Sequence, residues 1–382
     1  MHMAITQEAL YRELGSVDLS LSWSERDLPE RERTKHVHRL HPYLGKFVPQ
    51  LVEALLDRYV SPGGRVLDPF AGSGTTLVQA LEQGYDATGV DVASFNCLLM
   101  RVKTRPYNLD ALRRDLLWAH EQVEGFAPAG RYPRGASSYL REWYAPAAAE
   151  ELCHFRSLVE QVGSSDVLYV ILARAARSAR LTTHFDLEFP SGPQRGEYWC
   201  HKHKRTCRPV ESARRFLTRY TLDTLDRVET FAAVRRPGRF AEVLHGDTRE
   251  LDLGAAFDGV VTSPPYPGLI DYHGQHRYAY ELLGLDERQD RELGRPSLGT
   301  GRAAIEDYVD GVAAVLRHTR DSLHHGAPVC IVVNDRRELY GDVLRRAGLR
   351  LVDRLERHVN RRTGRRGGEY FESVLVAVGG RC

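Results

Sequence analysis

The stretch RVLDPFAGSGTTLVQALEQGYDATGVDV, Arg65 to Val92, constrains the fold more than any other part of the chain. RVLDPF reads as a short buried strand. AGSGTT then turns, TLVQALEQ reads as a helix that Gly84 stops, and DATGVDV reads as a second strand. SFNCLLMRVKT follows as a second helix. Strand, glycine turn, helix and strand in this order form half of a doubly wound α/β sheet. Gly72 and Gly74 let backbone approach a ligand closely at a strand end. Thr75 and Thr76 set hydroxyls and amides at a helix N-terminus, which favours a carboxylate or phosphate. The turn is not the phosphate-cradling GxxxxGK[ST] loop, because no lysine precedes the threonines, and it is not a full GxGxxG. Asp91, at the end of the second strand, is placed to accept hydrogen bonds from both hydroxyls of a ribose. A tight packing turn with an N-capping acid would use the same glycines, but DPFAGSGTT together with GVD favours a nucleoside ligand.

A second constraint lies far downstream, in DGVVTSPPYPGLIDY from Asp258 to Tyr272. Two valines lead into Ser263, two prolines and Tyr266. Consecutive prolines fit neither a helix interior nor a central strand. A buried strand therefore ends here in a stiff turn, with a hydroxyl before it and an aromatic ring after it. Just upstream, GDTRELD puts Asp247 after a short strand. Asp271, Tyr272 and His273 lie close to the turn, and buried structural roles are expected for them.

Between these motifs the α/β alternation stops. A chain of 382 residues predicts two to three domains, at ~150 residues each. Residues 1–40 are polar and charged, with ERDLPERERTK reading as a solvated arm. In HPYLGKFVPQLVEALLDRYV, Pro49 fits the first turn of a helix, and Leu51, Leu55, Leu56 and Val60 recur at helical spacing. Asn108 can cap a helix with an apolar face of Leu109, Leu112, Leu116 and Val123. From about 125 to 240 come Pro- and Gly-rich loops and helical stretches at 147–180 and 211–232, without buried parallel strands. Strand signals return in EVLHGD, DGVVTSPPY, APVCIVVND, LRLVDRLERHV and ESVLVAVGG, the last two close enough to form a hairpin. The expected division is 1–107, an N-terminal arm and the first α/β half; 108–240, a mostly helical insert; and 241–382, the second half with its C-terminal hairpin.

Net charge is only +2, so any basic surface must be local. From Arg195 to Arg219 there are eight Lys and Arg against two acids, with Tyr198 and Trp199 adjoining. A basic strip with aromatics fits phosphate and base-edge contacts, although 211–219 would also suit a solvated helix face. Lys202, Lys204, Arg205 and Arg208 are its candidate contacts. A second run, Arg345 to Arg366, has nine Arg and two acids, and its RRTGRRGG segment could touch a nucleic-acid backbone. Cys200, His201, His203 and Cys207 raise the question of zinc. CHxHxxxC is not a usual ligand spacing and no second ligand pair is evident, so no metal is expected. The six cysteines are scattered without a paired framework, which suits a reducing cytosol. No apolar run is long enough to cross a membrane, and the N-terminus lacks a basic segment followed by an apolar one.

LDPFAGSGTT with TSPPY resembles the amino-methyltransferases that use S-adenosylmethionine to methylate an exocyclic amine of a DNA base. HPYLGKFVPQLV resembles the segment that accompanies those motifs near the methionine end of the cofactor, and no motif covers the middle of the chain. The resemblance implies an α/β fold: a doubly wound class I methyltransferase sheet with a mostly helical target-recognition insert. It implies S-adenosylmethionine held by Lys46, Phe47, Asp68, Phe70, Gly72, Gly74, Thr75, Asp91 and Asp247, the last near the adenine amino group. It places catalysis on Ser263, Pro264, Pro265 and Tyr266. Such a site needs no metal and no covalent nucleophile. In this family a Ser at the first position mostly accompanies N4 of cytosine, and Asp or Asn mostly accompanies N6 of adenine. The expected enzyme is therefore a cytoplasmic cytosine-N4 methyltransferase acting on double-stranded DNA, with a cognate restriction endonuclease as possible partner. The readings left open are an N6-adenine enzyme, an RNA methyltransferase and a catalytically idle DNA-binding module.

Overall fold

The computed structural model describes residues 16–24, 26–46, 48–182, 192–200, 203–254, 256–359 and 371–379. Its strands are β1 (Ser16–Val17), β2 (Arg65–Asp68), β3 (Asp86–Asp91), β4 (Tyr198–Cys200), β5 (Arg205–Cys207), β6 (Ala241–His245), β7 (Gly259–Thr262), β8 (Pro328–Val333), β9 (Leu349–His358) and β10 (Phe371–Gly379). Eight of them form one sheet in the order β1-β9-β10-β8-β7-β2-β3-β6, and β4 and β5 form a separate ribbon. β6, β3, β2, β7 and β8 run parallel, while β10 is antiparallel to both β8 and β9. The chain moves outward from β2 through β3 to β6, then returns to β7 on the other flank of β2. The strand order reverses between β2 and β7. In open α/β sheets such a switch point leaves a crevice outside the carboxyl ends of the strands.

The central strands are apolar on both faces because helices cover both faces. Successive side chains of a strand point to opposite sides. Val66, Val261, Cys330 and Val332 join one buried cluster with Leu51, Leu55 and Leu77, from helices Pro49–Tyr59 and Thr75–Gln83. Leu67, Val260, Val329 and Ile331 join another with Val312, Leu316 and Val343, from helices Arg302–Asp321 and Tyr340–Ala347. This is the doubly wound arrangement expected. The last two helices had not been assigned from the sequence.

The segment between β3 and β6 is mostly helical: Leu109–Gly125, Ser138–Trp143, Pro146–Leu158, Ser165–Ala179 and Arg214–Val234. Asn108 accepts from the Ala111 amide, as expected of a cap. The stretch 147–180 is two helices, broken by a 3₁₀ turn at Val159–Gln161. Buried Glu151 accepts from the Ala213 and Arg214 amides and from Ser212 Oγ, fixing the start of the long helix. These helices share one continuous cluster with Phe95, Leu98, Leu99 and Val102 of helix Ser94–Thr104 and with Tyr278–Leu283.

Residues 16–40 are not wholly the solvated arm that was expected. Arg26, Asp27 and Glu30 to Glu32 are exposed. But β1 pairs with β9, and Leu21, Val37, Leu40, His36 and His38 are buried. The apolar residues of this segment are spaced too irregularly to register as helix or strand.

Candidate active site

The carboxyl ends of β6, β3, β2 and β7 open on one cavity of about 870 Å³, mouth included. The turn after β2 contributes Phe70, Gly72, Ser73 and Thr75, and the end of β3 contributes Asp91, with Asn96 from the following helix. The end of β6 contributes Asp247 and Arg249, and the end of β7 contributes Ser263 and Pro265. Tyr43, Lys46, Tyr272 and Glu292 complete the rim. The structure thus brings together most of the catalytic and cofactor-binding residues singled out from the sequence.

Two glycines of the turn have different reasons. Gly72 has φ 50°, and a Cβ there would meet Tyr43 Oη at 3.0 Å on the cavity side. Gly74 has φ 78° and caps helix Thr75–Gln83, and a Cβ there would lie 2.8 Å from Met100 Cγ. Gly74 is therefore a packing glycine behind the turn and not a wall of the cavity. Asp68 is corrected in the same way. It is 1% exposed, accepts from Thr262 Oγ1 at 2.6 Å and from the Phe70 amide at 3.1 Å, and does not line the cavity. It ties β2 to β7, and burial raises its carboxyl to about 6. From behind, Lys103 donates to the Ser73 carbonyl at 2.6 Å.

Asp91 is at the cavity wall, but much of it is already engaged. Oδ1 accepts from the Ala93 amide at 2.8 Å and from Asn96 Nδ2 at 3.1 Å, and Oδ2 accepts from the Gly72 amide at 2.9 Å. A carboxylate offers about four lone-pair positions. One remains open, on Oδ2, so there is room for one hydroxyl and not for the two expected. Burial raises this carboxyl to about 7. Asp247 accepts from the Arg249 amide and guanidinium at 3.0 and 2.9 Å. Burial pushes its carboxyl up, but the Arg249 donors prevail and hold it below the ordinary range. Lys46 donates to the His38 carbonyl at 2.9 Å, and burial lowers its ammonium to about 8. Tyr43 accepts from Asn96 Nδ2 at 3.2 Å and stacks on Tyr272, with ring centroids 5.5 Å apart.

Three buried polar atoms of this wall have no partner among the described residues: Ser73 Oγ, Asn96 Oδ1 and Glu292 Oε2. Unpaired buried polar atoms are costly. With Asp91 Oδ2 they make a set of acceptors without partners around a mostly apolar cavity, which fits a ligand carrying amine and hydroxyl donors, as S-adenosylmethionine does. The other oxygen of Glu292 bonds to His273 Nδ1, and His273 Nε2 accepts from the Arg288 amide. Asp271 caps the next turn through the Gly274 amide, so Asp271 and His273 have the structural roles expected. Tyr272 does not, because it lines the cavity.

The Pro-Pro corner is held from outside. Tyr308 Oη donates to the Pro265 carbonyl at 2.9 Å and lies 2.9 Å from Tyr340 Oη. Pro264 is buried. Tyr266 is half-buried against the cluster that holds Tyr308 and is not on the cavity wall. Phe47, Lys202 and the RRTGRRGG segment lie outside the described residues. Lys204 and Arg205 are exposed on the ribbon β4–β5, whereas Arg208 pairs with Glu197 at 2.8 Å. Other basic residues are engaged by the chain itself: exposed Arg195 donates to the Arg141 and Glu142 carbonyls, and buried Arg357 pairs with Glu372.

Asn96, Glu292 and Tyr308 were not anticipated. Asn96 lies in SFN, five residues past Asp91, and its amide side chain was the one available signal. Glu292 and Tyr308 stand in no motif.

A family model described as DNA methylase matches residues 6–100. Type II methyltransferase M.MjaII of Methanocaldococcus jannaschii is 34% identical over 431 residues, covering 91% of this chain and 81% of that protein. Type II methyltransferase M.BsoBI of Geobacillus stearothermophilus is 23% identical over 295 residues, covering 70% of this chain and 57% of that protein. Among solved structures, an S-adenosylmethionine-dependent methyltransferase of Methanosarcina mazei is 10% identical, covers 85% of this chain and 97% of that one, and superposes with a TM-score of 0.36.

Proposed function

The chain belongs to the type II DNA methyltransferases, and we propose that it methylates the N4 amine of a cytosine swung out of double-stranded DNA. The observation that carries this reading is the shared wall: Ser263 and Pro265 face the same cavity as the glycine turn and Asp91. S-adenosylmethionine, the cofactor, supplies a sulfonium-bound methyl group that is already electrophilic. Lys46, Phe70, Gly72, Thr75, Asp91 and Asp247 line the cavity it would occupy, Phe47 is assigned to it from its motif, and Asp91 Oδ2 would take one ribose hydroxyl.

An exocyclic amine is a poor nucleophile because its lone pair is delocalised into the ring. Ser263 Oγ and the Pro264 carbonyl accept its N–H groups and favour a pyramidal nitrogen with a free lone pair. The prolines, held by Tyr308, keep these acceptors fixed, so little reorganisation precedes reaction. Tyr266 offers a face on which the extruded base stacks. With the cofactor bound, the amine nitrogen would form a bond to the methyl carbon as the carbon–sulfur bond breaks, leaving S-adenosylhomocysteine, and the methylated amine would then lose a proton to water, since serine is too weak a base to take it.

Residues 108–240 serve as the target-recognition region, with Lys202, Lys204, Arg205 and Arg208 on the DNA backbone. The expected setting is a restriction–modification pair with a cognate endonuclease. The test is mass spectrometry of nucleosides from DNA and, in parallel, from tRNA, each incubated with the protein and methyl-labelled S-adenosylmethionine. Label in N4-methylcytosine is the expected result. Label in N6-methyladenine would overturn the base assignment, and label in tRNA alone would overturn the substrate.

A further inference from the structure

We propose that Cys200, His203 and Cys207 bind a zinc ion that pins the two strands of the ribbon β4–β5 to each other. One ligand atom from each, two Sγ and a ring nitrogen, lie within 4.8 Å of one another. In the ribbon, Cys200 faces Arg205 and Tyr198 faces Cys207. Side chains two residues apart share a face of a strand, so the two cysteines are diagonal neighbours on one face. His203 Nδ1 is 3.4 Å from Cys207 Sγ. In a tetrahedral zinc site, bonds of about 2.0 Å to nitrogen and 2.3 Å to sulfur put those atoms about 3.5 Å apart.

The turn between the strands is built in keeping with this. The His203 amide donates to Cys200 Sγ at 3.5 Å, a bond that orients a ligating thiolate and offsets its charge. Lys204, the next residue, has φ 51°, a left-handed conformation rare outside glycine. It reverses the chain just after the histidine, so that β5 carries Cys207 back to the face of Cys200. The ligand pattern is Cys-x2-His-x3-Cys. The expectation of no metal came from reading His201 into the set and from the lack of a second ligand pair.

The ribbon has a reason to need an ion. Its strands are three residues each, Trp199 is 55% exposed, and a lone two-stranded hairpin is marginal in water. Lys204, Arg205 and Arg208 lie beside it, yet two thiolates and a neutral imidazole cancel the charge of Zn²⁺ and add none to this basic neighbourhood. Three protein donors leave the fourth tetrahedral position to water or a further donor. The other candidate cluster, His36, His38 and Glu82, already holds a cation, because Lys35 pairs with Glu82 at 2.7 Å.

The test is metal content of the full-length protein, purified with and without added zinc and measured by mass spectrometry. It is read without DNA, so its result stands apart from the assignment of the methylated base. One zinc per chain is expected, absent from both Cys200→Ser and Cys207→Ser. Cobalt in its place should show a thiolate-to-metal charge-transfer band. The wild-type protein gives a second readout that needs no folded variant: a chelator should speed the reaction of its thiols with Ellman's reagent. A zinc-free wild type with chelator-independent thiols overturns the proposal, as does metal retained in both variants.

Discussion

Replacing Asp91 with Asn tests the cofactor end of the site through pH as well as affinity. Burial holds the Asp91 carboxyl at about 7, although three donors of the chain already favour its charged form. A ligand hydroxyl donating to Oδ2 favours that form too, so the ionised protein is the better binder. With a pKa of about 7, roughly a tenth of the protein is ionised at pH 6 and roughly nine-tenths at pH 8. Affinity for the cofactor or its demethylated product should therefore rise about tenfold over that interval. Asn removes a charged acceptor worth about 1.5–3 kcal/mol, or roughly 10- to 150-fold in Kd at pH 8. Its NH₂ also meets the Gly72 or Ala93 amide, donor against donor. At pH 6 the gap between the two proteins should shrink about tenfold. The assay is calorimetric titration with S-adenosylhomocysteine at several pH values. The ligand's own ammonium titrates alike in both experiments, so it cancels in the ratio of the two Kd values. A ratio that stays constant from pH 6 to 8 would show that Asp91 is not the titrating acceptor.

Ser263→Ala should slow single-turnover methylation by about 2–4 kcal/mol, roughly 30- to 900-fold, and leave cofactor Kd as it was; an unchanged rate would remove Ser263 from the chemistry. Tyr308→Phe loses the bond that holds the Pro265 carbonyl, about 0.5–1.5 kcal/mol. The loss should appear in kcat, and a change confined to KM would refute the positioning role. Asp68 is raised on folding to about 6, so the folded chain keeps a proton that the unfolded chain releases between about pH 4 and 6. Stability therefore falls as pH rises through that window, and Asp68→Asn should remove roughly 3 kcal/mol of that total fall; an equal fall in urea melts of both proteins would contradict this. In the Lys204→Ala, Arg205→Ala double variant, the salt dependence of DNA affinity should flatten by about 0.9 log unit for each phosphate left unneutralised. An unchanged slope would move the DNA interface off the ribbon.

The central strands were legible because they are buried on both faces and so read as unbroken apolar runs. Their ends were legible too, since a glycine turn, an acid after a strand and a Pro-Pro corner are all local signals. What the sequence could not give was the direction each group faces. Asp68 and Gly74 stand inside the same motif as Gly72, yet they turn toward β7 and Met100. Glu292 and Tyr308 reach the site by long-range packing, and nothing near them in sequence marks it. The ribbon was missed for a different reason: strands of three residues show no period.

On the proposed mechanism the site needs no strong base and works by holding acceptors still, and the fold suits this by cross-linking the two motifs that the insert separates. Asp68 at the end of β2 accepts from Thr262 at the end of β7, Thr76 donates to the Val261 carbonyl, and Thr248 donates to the Pro69 carbonyl. Three hydrogen bonds thus fasten the glycine turn to the strands after β3. The insert is joined to the same frame. Its helices pack on Ser94–Thr104, and that helix supplies Asn96, which bonds both Asp91 and Tyr43. The segment proposed to read DNA and the carboxylate proposed to hold the cofactor are therefore linked through a single helix. Substitutions at the buried face of Ser94–Thr104 would disturb both together, whereas those on the exposed ribbon would disturb DNA binding alone.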